Sequence, residues 1–443
     1  MKLFKIIDAI GYTVITASAC YFAAAMCVGI VELRRQKTSL PVQGDAEYGD
    51  PHLDRRDSRH VYTLVPCLNE ASVIGATVLG LAGPRTTVVV IDDGSDDGTG
   101  EAAAQPGAKG EVVVLRRDPP NARQGKGEAL NHGIEFVRRA VSTRGQDPHQ
   151  VIVCVMDADG RLSDRALAHV MPLFDDPATG GVQLGVRIRN RHANFLTWFQ
   201  DYQFWSMAAV TQLGRNATAT VSLGGNGQFT RLAALDSIGI RPWSPSLTED
   251  LDLAISLSIR GWCMRTPAHA SVDQQAIKQL SRLIRQRTRW YQGHMSALVR
   301  SGEIWRSHQL AHLSALEMIA YLLVPWALDL PWSLLFQYCL IWFLLRPGYV
   351  ILRHNPFPVL RGTPLAWPVA IVLWYLLTFA PALVTSWIYL RRDRRVGRAR
   401  ALLMGHSFVV MNYLSFLCAW KALFRMARGH TSWVKTTRES ESH

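Results

Sequence analysis

Apolar and polar positions divide the chain into an N-terminal apolar run, a mixed middle and an apolar C-terminal part. From Ala9 to Val31 run 23 residues without a charge. That is enough to cross a hydrocarbon core of about 30 Å at about 1.5 Å per residue. Arg34, Arg35 and Lys37 follow at once, and basic residues flank membrane helices on the cytoplasmic side. A cleaved signal peptide is the competing reading, because Lys2 and Lys5 precede the run and Ala23 and Ala25 lie within it. The apolar part of such a peptide spans only about 7–15 residues, so the run reads as a retained anchor.

The C-terminal apolar region starts near Ala311. Ala311–Leu345 carries Pro325, Asp329 and Pro331 in its middle. It is either two short spans with a turn near Ala327–Pro331 or one kinked, partly interfacial element. Leu365–Leu390 is a clearer crossing, and Ala401–Phe424 is another, weakened by His406, Asn412 and Lys421. Arg391–Arg400 holds six Arg and one Asp, which belongs in the cytoplasm. A single kinked element at Ala311–Leu345 puts it there.

Between these regions, short β-rich runs alternate with helical stretches. Val61–Pro66, Thr86–Ile91, Glu111–Leu115 and Val151–Met156 are the runs. Buried β-branched runs separated by crossovers indicate a parallel α/β sheet. The resulting plan is an anchor over 1–37, a linker over 38–58 and an α/β domain over 59–280. Amphipathic interface helices follow over 281–308, a membrane region over 309–428 and a basic cytoplasmic tail over 429–443.

Charge sharpens this plan. Lys and Arg number 48 against 35 Asp and Glu, a formal net charge of +13. The excess gathers at Arg34–Lys37, Lys278–Arg289 and Arg391–Arg400, beside apolar runs rather than on one soluble face. This argues against a nucleic-acid binder and for contact with membrane lipids. Seven cysteines show neither a C-x-x-C pair nor a metal-finger spacing, so the α/β domain is expected in a reducing compartment.

Ligands of an open α/β sheet bind beyond the carboxyl ends of its strands, and two runs place carboxylates there. Thr87–Ile91 ends in Asp92-Asp93-Gly94-Ser95. A turn with a helix cap explains this run as well as a binding site does. Val151–Met156 ends in Asp157-Ala158-Asp159-Gly160. Two carboxylates at i and i+2 can reach one hard cation, with Mg²⁺ taking its other ligands from water and diphosphate oxygens. Farther on, Thr248-Glu249-Asp250-Leu251-Asp252 opens an apolar-periodic stretch. A helix cap accounts for Thr248 and Glu249, while the density of acids fits a general base. Gln286-Arg287-Thr288-Arg289-Trp290 lies in a basic amphipathic stretch with Leu280, Leu283, Ile284, Tyr291, Met295, Leu298 and Val299 at near-helical spacing. Such a helix suits a membrane surface, and an Arg beside a Trp also suits a diphosphate and a sugar ring.

Six motifs occur in order: Pro66-Cys67-Leu68-Asn69-Glu70, Asp92-Asp93-Gly94-Ser95, Gly125-Lys126-Gly127-Glu128-Ala129-Leu130-Asn131, Asp157-Ala158-Asp159-Gly160, Thr248-Glu249-Asp250 and Gln286–Trp290. Together they resemble the membrane-integrated family-2 glycosyltransferases, the cellulose, chitin, hyaluronan and poly-N-acetylglucosamine synthases. The resemblance covers about residues 60–295. It implies a GT-A fold in a multi-pass inner (plasma) membrane protein with a cytoplasmic catalytic domain. It further implies inverting transfer from a UDP-sugar to a growing glycan, processive and coupled to export.

By the same resemblance Pro66, Asn69, Glu70, Asp92 and Asp93 would hold the nucleoside. Asp157 and Asp159 would bind Mg²⁺ or Mn²⁺ on the donor diphosphate, with Lys126 a further donor contact. Asp250, beside Glu249, would be the base. Gln286, Arg289 and Trp290 would line the meeting point of donor and acceptor. Ser222–Phe229 departs from the family's segment near the acceptor; its Gly225 and Gly227 allow close approach of backbone to a sugar, and Asn226 and Gln228 could bond its hydroxyls. Trp433-Val434-Lys435-Thr436-Thr437-Arg438 resembles a family tail at the catalytic face, and a basic tail on anionic lipid explains it equally. Transfer of a single sugar to a membrane lipid is the alternative function, and an inactive sugar-nucleotide sensor or scaffold is the alternative from another class. The plan leaves room for an accessory or export subunit, or a homo-oligomer.

Overall fold

A computed structural model describes residues 2–38, 58–104, 110–345, 366–393 and 395–430. The linker within 39–57 and the Trp433–Arg438 segment lie outside the described residues. Two compact units divide the chain, one built on Ala25–Leu322 and one on Met1–Ala24 with Leu323–Gly429.

Among its described residues the α/β unit contains ten strands: β1 (His60–Cys67), β2 (Thr86–Asp92), β3 (Glu111–Arg116), β4 (Val151–Val155), β5 (Arg161–Leu162), β6 (Thr179–Gln183), β7 (Gly185–Ile188), β8 (Gln228–Arg231), β9 (Cys263–Arg265) and β10 (Ser271–Gln274). Seven form one sheet in the order β3-β2-β1-β4-β8-β6-β9, and β5-β10-β7 form a second. Successive strand residues point to opposite faces. Val61 and Val65 of β1 therefore pack with Val73, Ile74 and Val78 of α2 (Ala71–Leu81) on one side. Tyr62 and Leu64 pack with Leu130, Ile134 and Val137 of α3 (Lys126–Thr143) on the other. Burial on both faces makes these strands read as unbroken apolar runs.

The large sheet is mixed rather than parallel. β8 runs antiparallel to both β4 and β6. The segment before β8 lies at the carboxyl ends of the strands, so the chain can only run back down the sheet. β8 is short and reads Gln-Phe-Thr-Arg, which gives no apolar run to detect.

Leu223–Gly227 is followed by α5 (Glu249–Ser258) and α6 (Leu280–Ala297), with the shorter α4 (Phe195–Tyr202) earlier in the chain. The N-terminal apolar run is a helix, α1 (Lys2–Thr38). At the disputed C-terminal run, α7 (His312–Leu323) continues through a π-helical segment, Val324–Asp329, into α8 (Leu330–Leu345). No turn interrupts it at Ala327–Pro331. Pro325 lacks an N–H, and a π-segment is a common way to absorb that gap. The next apolar runs form α9 (Ala366–Arg392) and α10 (Arg398–Ala427). Among the described residues three helices are long and apolar enough to cross a membrane: Ala9–Gln36, His312–Tyr338 and Arg398–Ala427. Within the Leu323–Gly429 unit, a Cβ at Gly405 would lie on Ser386 and Ala382. The glycine thus lets α9 and α10 approach closely.

Candidate active site

A cavity of about 520 Å³ opens at the carboxyl ends of β1, β2 and β4. That is a usual size for a single small-molecule site.

At its first end, Pro66, Glu70 and Asp93 line the cavity. Asp92 does not. It is fully buried. Its Oδ1 accepts the Ser95 N–H at 2.9 Å and its Oδ2 accepts Arg116 Nη1 at 2.7 Å. Consecutive residues at a strand end diverge, so Asp92 braces the turn while Asp93 reaches the cavity. Asp93 Oδ1 accepts Arg117 Nη1 at 2.5 Å, and both side chains are nearly buried. Asn69 is likewise turned away from the expected nucleoside contact. Its N–H donates to Ser95 Oγ at 3.0 Å, and its Oδ1 accepts the Asp96 N–H at 3.1 Å. It sits at φ 53°, a left-handed conformation that Asn tolerates better than most residues. Asn69 ties the β1 loop to the β2 loop.

Deeper in, Asp157 and Asp159 follow β4. The Asp157 N–H donates to Asn226 Oδ1 at 3.1 Å, and Asn226 Nδ2 donates to Gln274. Asn226 lines the cavity and orients the aspartate loop with its side chain. Thr77 Oγ1 donates to the Ala158 carbonyl at 2.7 Å, and the Gln275 N–H donates to Asp159 Oδ2 at 3.1 Å. Lys126, at the start of α3, donates to Asp157 Oδ1 at 2.8 Å and to the Gly225 carbonyl at 2.6 Å. Burial works against its charge, but Asp157 and Glu249 outweigh that and raise its pKa.

These carboxylates fit a hard divalent cation. Asp157 already accepts one positive charge, and both supply oxygen donors. Among the described residues no group of three His, Cys, Asp or Glu could hold a metal alone. Two carboxylates suit an ion that arrives with phosphate oxygens.

On the opposite wall, Glu249 and Asp250 open α5 and line the cavity. The N-cap residue Thr248 makes no side-chain cap hydrogen bond. Burial, then the Asp250 charge, pushes the Glu249 carboxyl up to about 7. Burial also raises Asp250, against the pull of Lys126 and Arg289. Asp250 Oδ1 accepts the Leu251 N–H at 2.7 Å. Two glycines permit this crowding. A Cβ at Gly225 would lie 2.6 Å from Lys126 Nζ and 3.4 Å from Asp250 Oδ2, and one at Gly293 would lie 2.5 Å from Thr248 Cγ2.

α6 supplies one lining stripe: Arg282, Gln286, Arg289, Trp290 and His294, which share a helical face by spacing. Arg289 Nη1 donates to the Leu247 carbonyl at 3.2 Å. Trp290 meets Phe204 edge-on at 6.3 Å, and Arg287 lies 4.9 Å over Trp290. Leu280 and Val299, at the two ends of the amphipathic stretch, are exposed.

The cavity thus gathers Pro66, Glu70, Asp93, Lys126, Asp157, Asp159, Gly225, Asn226, Glu249, Asp250, Gln286, Arg289 and Trp290. Asp92, Asn69, Gly227 and Gln228 lie outside it. Gly227, at φ 68°, turns the chain into β8, and Gln228 is buried with its Nε2 on Thr230. Sequence reading missed Arg117, His294 and Tyr321. Arg117 was accessible, since it directly follows β3 at a strand end. Tyr321 of α7 was not, because it lies within an apolar run. Its carbonyl meets His294 Nε2 at 2.9 Å.

A family model described as "Glycosyltransferase like family 2" matches residues 58–293. Beta-monoglucosyldiacylglycerol synthase of Nostoc sp. is 28% identical over 311 residues, 68% of this chain and 60% of that protein. Poly-beta-1,6-N-acetyl-D-glucosamine synthase of Staphylococcus aureus is 25% identical over 255 residues, 56% of this chain and 58% of that protein. The match thus spans less than two thirds of either relative. Among solved structures, the mannosyltransferase PcManGT from Pyrobaculum calidifontis, in complex with GDP-Man and Mn²⁺, is similar at a TM-score of 0.49 and 19% identity, covering 92% of this chain and 99% of that one.

Proposed function

This chain belongs to the glycosyltransferase-like family 2, a glycosyltransferase with a GT-A α/β fold, and from that premise we propose that it transfers one hexosyl residue from a UDP-sugar to a hydroxyl of a membrane lipid, with inversion. The observation that carries the chemistry is the cavity itself, where Asp250 with its raised pKa faces Lys126, Asp157 and Arg289. A carboxylate with a raised pKa is a better proton acceptor near neutral pH.

Asp93, held by Arg117, and the Pro66–Glu70 loop receive the nucleoside. Asp157 and Asp159 would hold Mg²⁺ or Mn²⁺, which when bound would supply charge neutralisation for the departing diphosphate. Arg289 and Gln286 face the same leaving group from α6. Asp250 takes the proton of the acceptor hydroxyl as that oxygen attacks the anomeric carbon from the side opposite the diphosphate. Glu249, pushed up to about 7 by burial and the Asp250 charge, is partly protonated near neutral pH and so adds less than a full second negative charge beside Asp250. Trp290 and Gly225 flank the acceptor.

Two observations favour a lipid acceptor. The Nostoc relative, matched over 68% of this chain, is named for a glucosyldiacylglycerol product. Tyr321, which lines the cavity, belongs to the helical run His312–Tyr338, which is long and apolar enough to lie in a bilayer, as an acceptor lipid does. The second reading is processive polymer synthesis in a multi-pass protein with a cytoplasmic site. It is favoured by the Gln286–Trp290 motif and by the Staphylococcus relative.

Full-length protein in lipid nanodiscs with Mn²⁺, diacylglycerol and UDP-glucose, UDP-N-acetylglucosamine or GDP-mannose separates the readings. Mass spectrometry should find one hexose on lipid together with UDP release. Long glycan in its place favours the polymer. Release of GDP alone overturns the UDP assignment.

A further inference from the structure

We propose that Lys126 is a built-in competitor of the divalent cation for Asp157, so that the ion binds only together with the nucleotide diphosphate. This rests on the donor assignment above and goes beyond it, since it concerns the order in which the site is assembled.

The Lys126 ammonium occupies Oδ1 of Asp157, one of the two oxygens that carboxylate can offer a metal ion. Nζ lies 2.8 Å from Asp157 Oδ1, at charge-assisted hydrogen-bond distance. A second bond, 2.6 Å to the Gly225 carbonyl, fixes the ammonium in place. The absent side chain at Gly225 makes this approach feasible, since a Cβ there would meet Nζ at 2.6 Å. The Lys126–Asp157 pair is mostly shielded, with side-chain exposures of 20% and 26%. Coulomb attraction is therefore screened less than at the surface.

A free ion entering this site must displace an ammonium already paired with one of its two carboxylates. With Asp157 and Asp159 as its protein ligands among the described residues, it gains little in return. An ion carrying a diphosphate changes both sides of that balance. It brings its own oxygen ligands, and the diphosphate offers the displaced ammonium a new anionic partner. Lysine suits this exchange because its ammonium is a compact point charge on a flexible stem. Arg117 on Asp93 provides the contrast, with a second bond from Nη2 to the Asn121 carbonyl at 2.5 Å. That guanidinium is a planar fork locked at both ends.

The test is Mn²⁺ binding by full-length protein in detergent, read from the electron paramagnetic resonance signal of free Mn²⁺, alone and with UDP or GDP. Wild type should bind Mn²⁺ at least about tenfold more tightly with nucleotide than without. Lys126→Met should bind Mn²⁺ alone about tenfold more tightly than wild type and narrow the gap. Lys126→Arg keeps a cation and should keep binding of Mn²⁺ alone weak. Equal wild-type affinity with and without nucleotide, where nucleotide itself binds, overturns the proposal, and this needs no variant to fold. Unchanged or weaker binding of Mn²⁺ alone to a folded Lys126→Met overturns it as well. Failure of both nucleotides to bind wild type overturns the donor assignment, and this inference with it.

Discussion

At the strand ends, Asp93 lies 2.5 Å from the Arg117 guanidinium and Asp157 lies 2.8 Å from the Lys126 ammonium. Across the cavity, Glu249, buried, and Asp250, half-buried, stand side by side at the start of α5, and both are raised above the ordinary carboxylate range. The residue types are the same and the electrostatics are opposite. A carboxylate tied to a cation is fixed in place, which suits binding. A carboxylate crowded by burial and a like charge holds its proton longer, which suits proton transfer. On the proposed function, the two walls divide the labour of a transferase before any substrate is present.

Three experiments would break or sharpen this contrast. The largest effect is expected for Asp250→Asn. Loss of a general base should lower kcat by about 10²–10⁴-fold, while UDP affinity by calorimetry stays within about threefold. Comparable loss of both would move Asp250 to the binding wall. Arg117→Met should act the other way. Removing a charge-assisted bond worth about 1.5–3 kcal/mol should weaken UDP binding about 10–100-fold and leave turnover at saturating donor nearly unchanged.

The smallest effect is on stability. Glu249 has a folded pKa raised to about 7, above its value in an unfolded chain. Its contribution is therefore fully present below about pH 4.5 and is lost as pH rises through about 7. Glu249→Gln should raise the thermal midpoint over wild type by a few degrees at pH 8 and leave it unchanged at pH 4. An equal shift at both pH values would remove the charge explanation.

The two walls also differ in how legible they were. The runs ending at Asp92-Asp93 and Asp157 announced themselves because strands buried on both faces are continuous apolar blocks, and the break to acids is abrupt. Which of Asp92 and Asp93 faces the cavity depends on the pleat rather than on residue type. Asp92 and Asp93 are adjacent, and the pleat alone sends one to Arg116 and the other to the site. Asn69, Gly227 and Gln228 look equally fit for ligand contact, yet they serve the loops and β8. The alternation rule applied to the strand ends would have caught Asp92. No local rule finds Tyr321, whose place in the cavity depends on α6 meeting α7 far along the chain.

The sequence by itself determined the α/β class, the apolar helices and the inventory of acids and bases, because each depends on local periodicity or on abrupt changes of polarity. Tertiary structure decided the antiparallel course of β8, the partner of each carboxylate and the close approach of α6 to α5 at Gly293. Those depend on which groups meet across long chain separations. Burial and charge pairing at such meetings, rather than residue type, set whether a carboxylate binds or takes a proton.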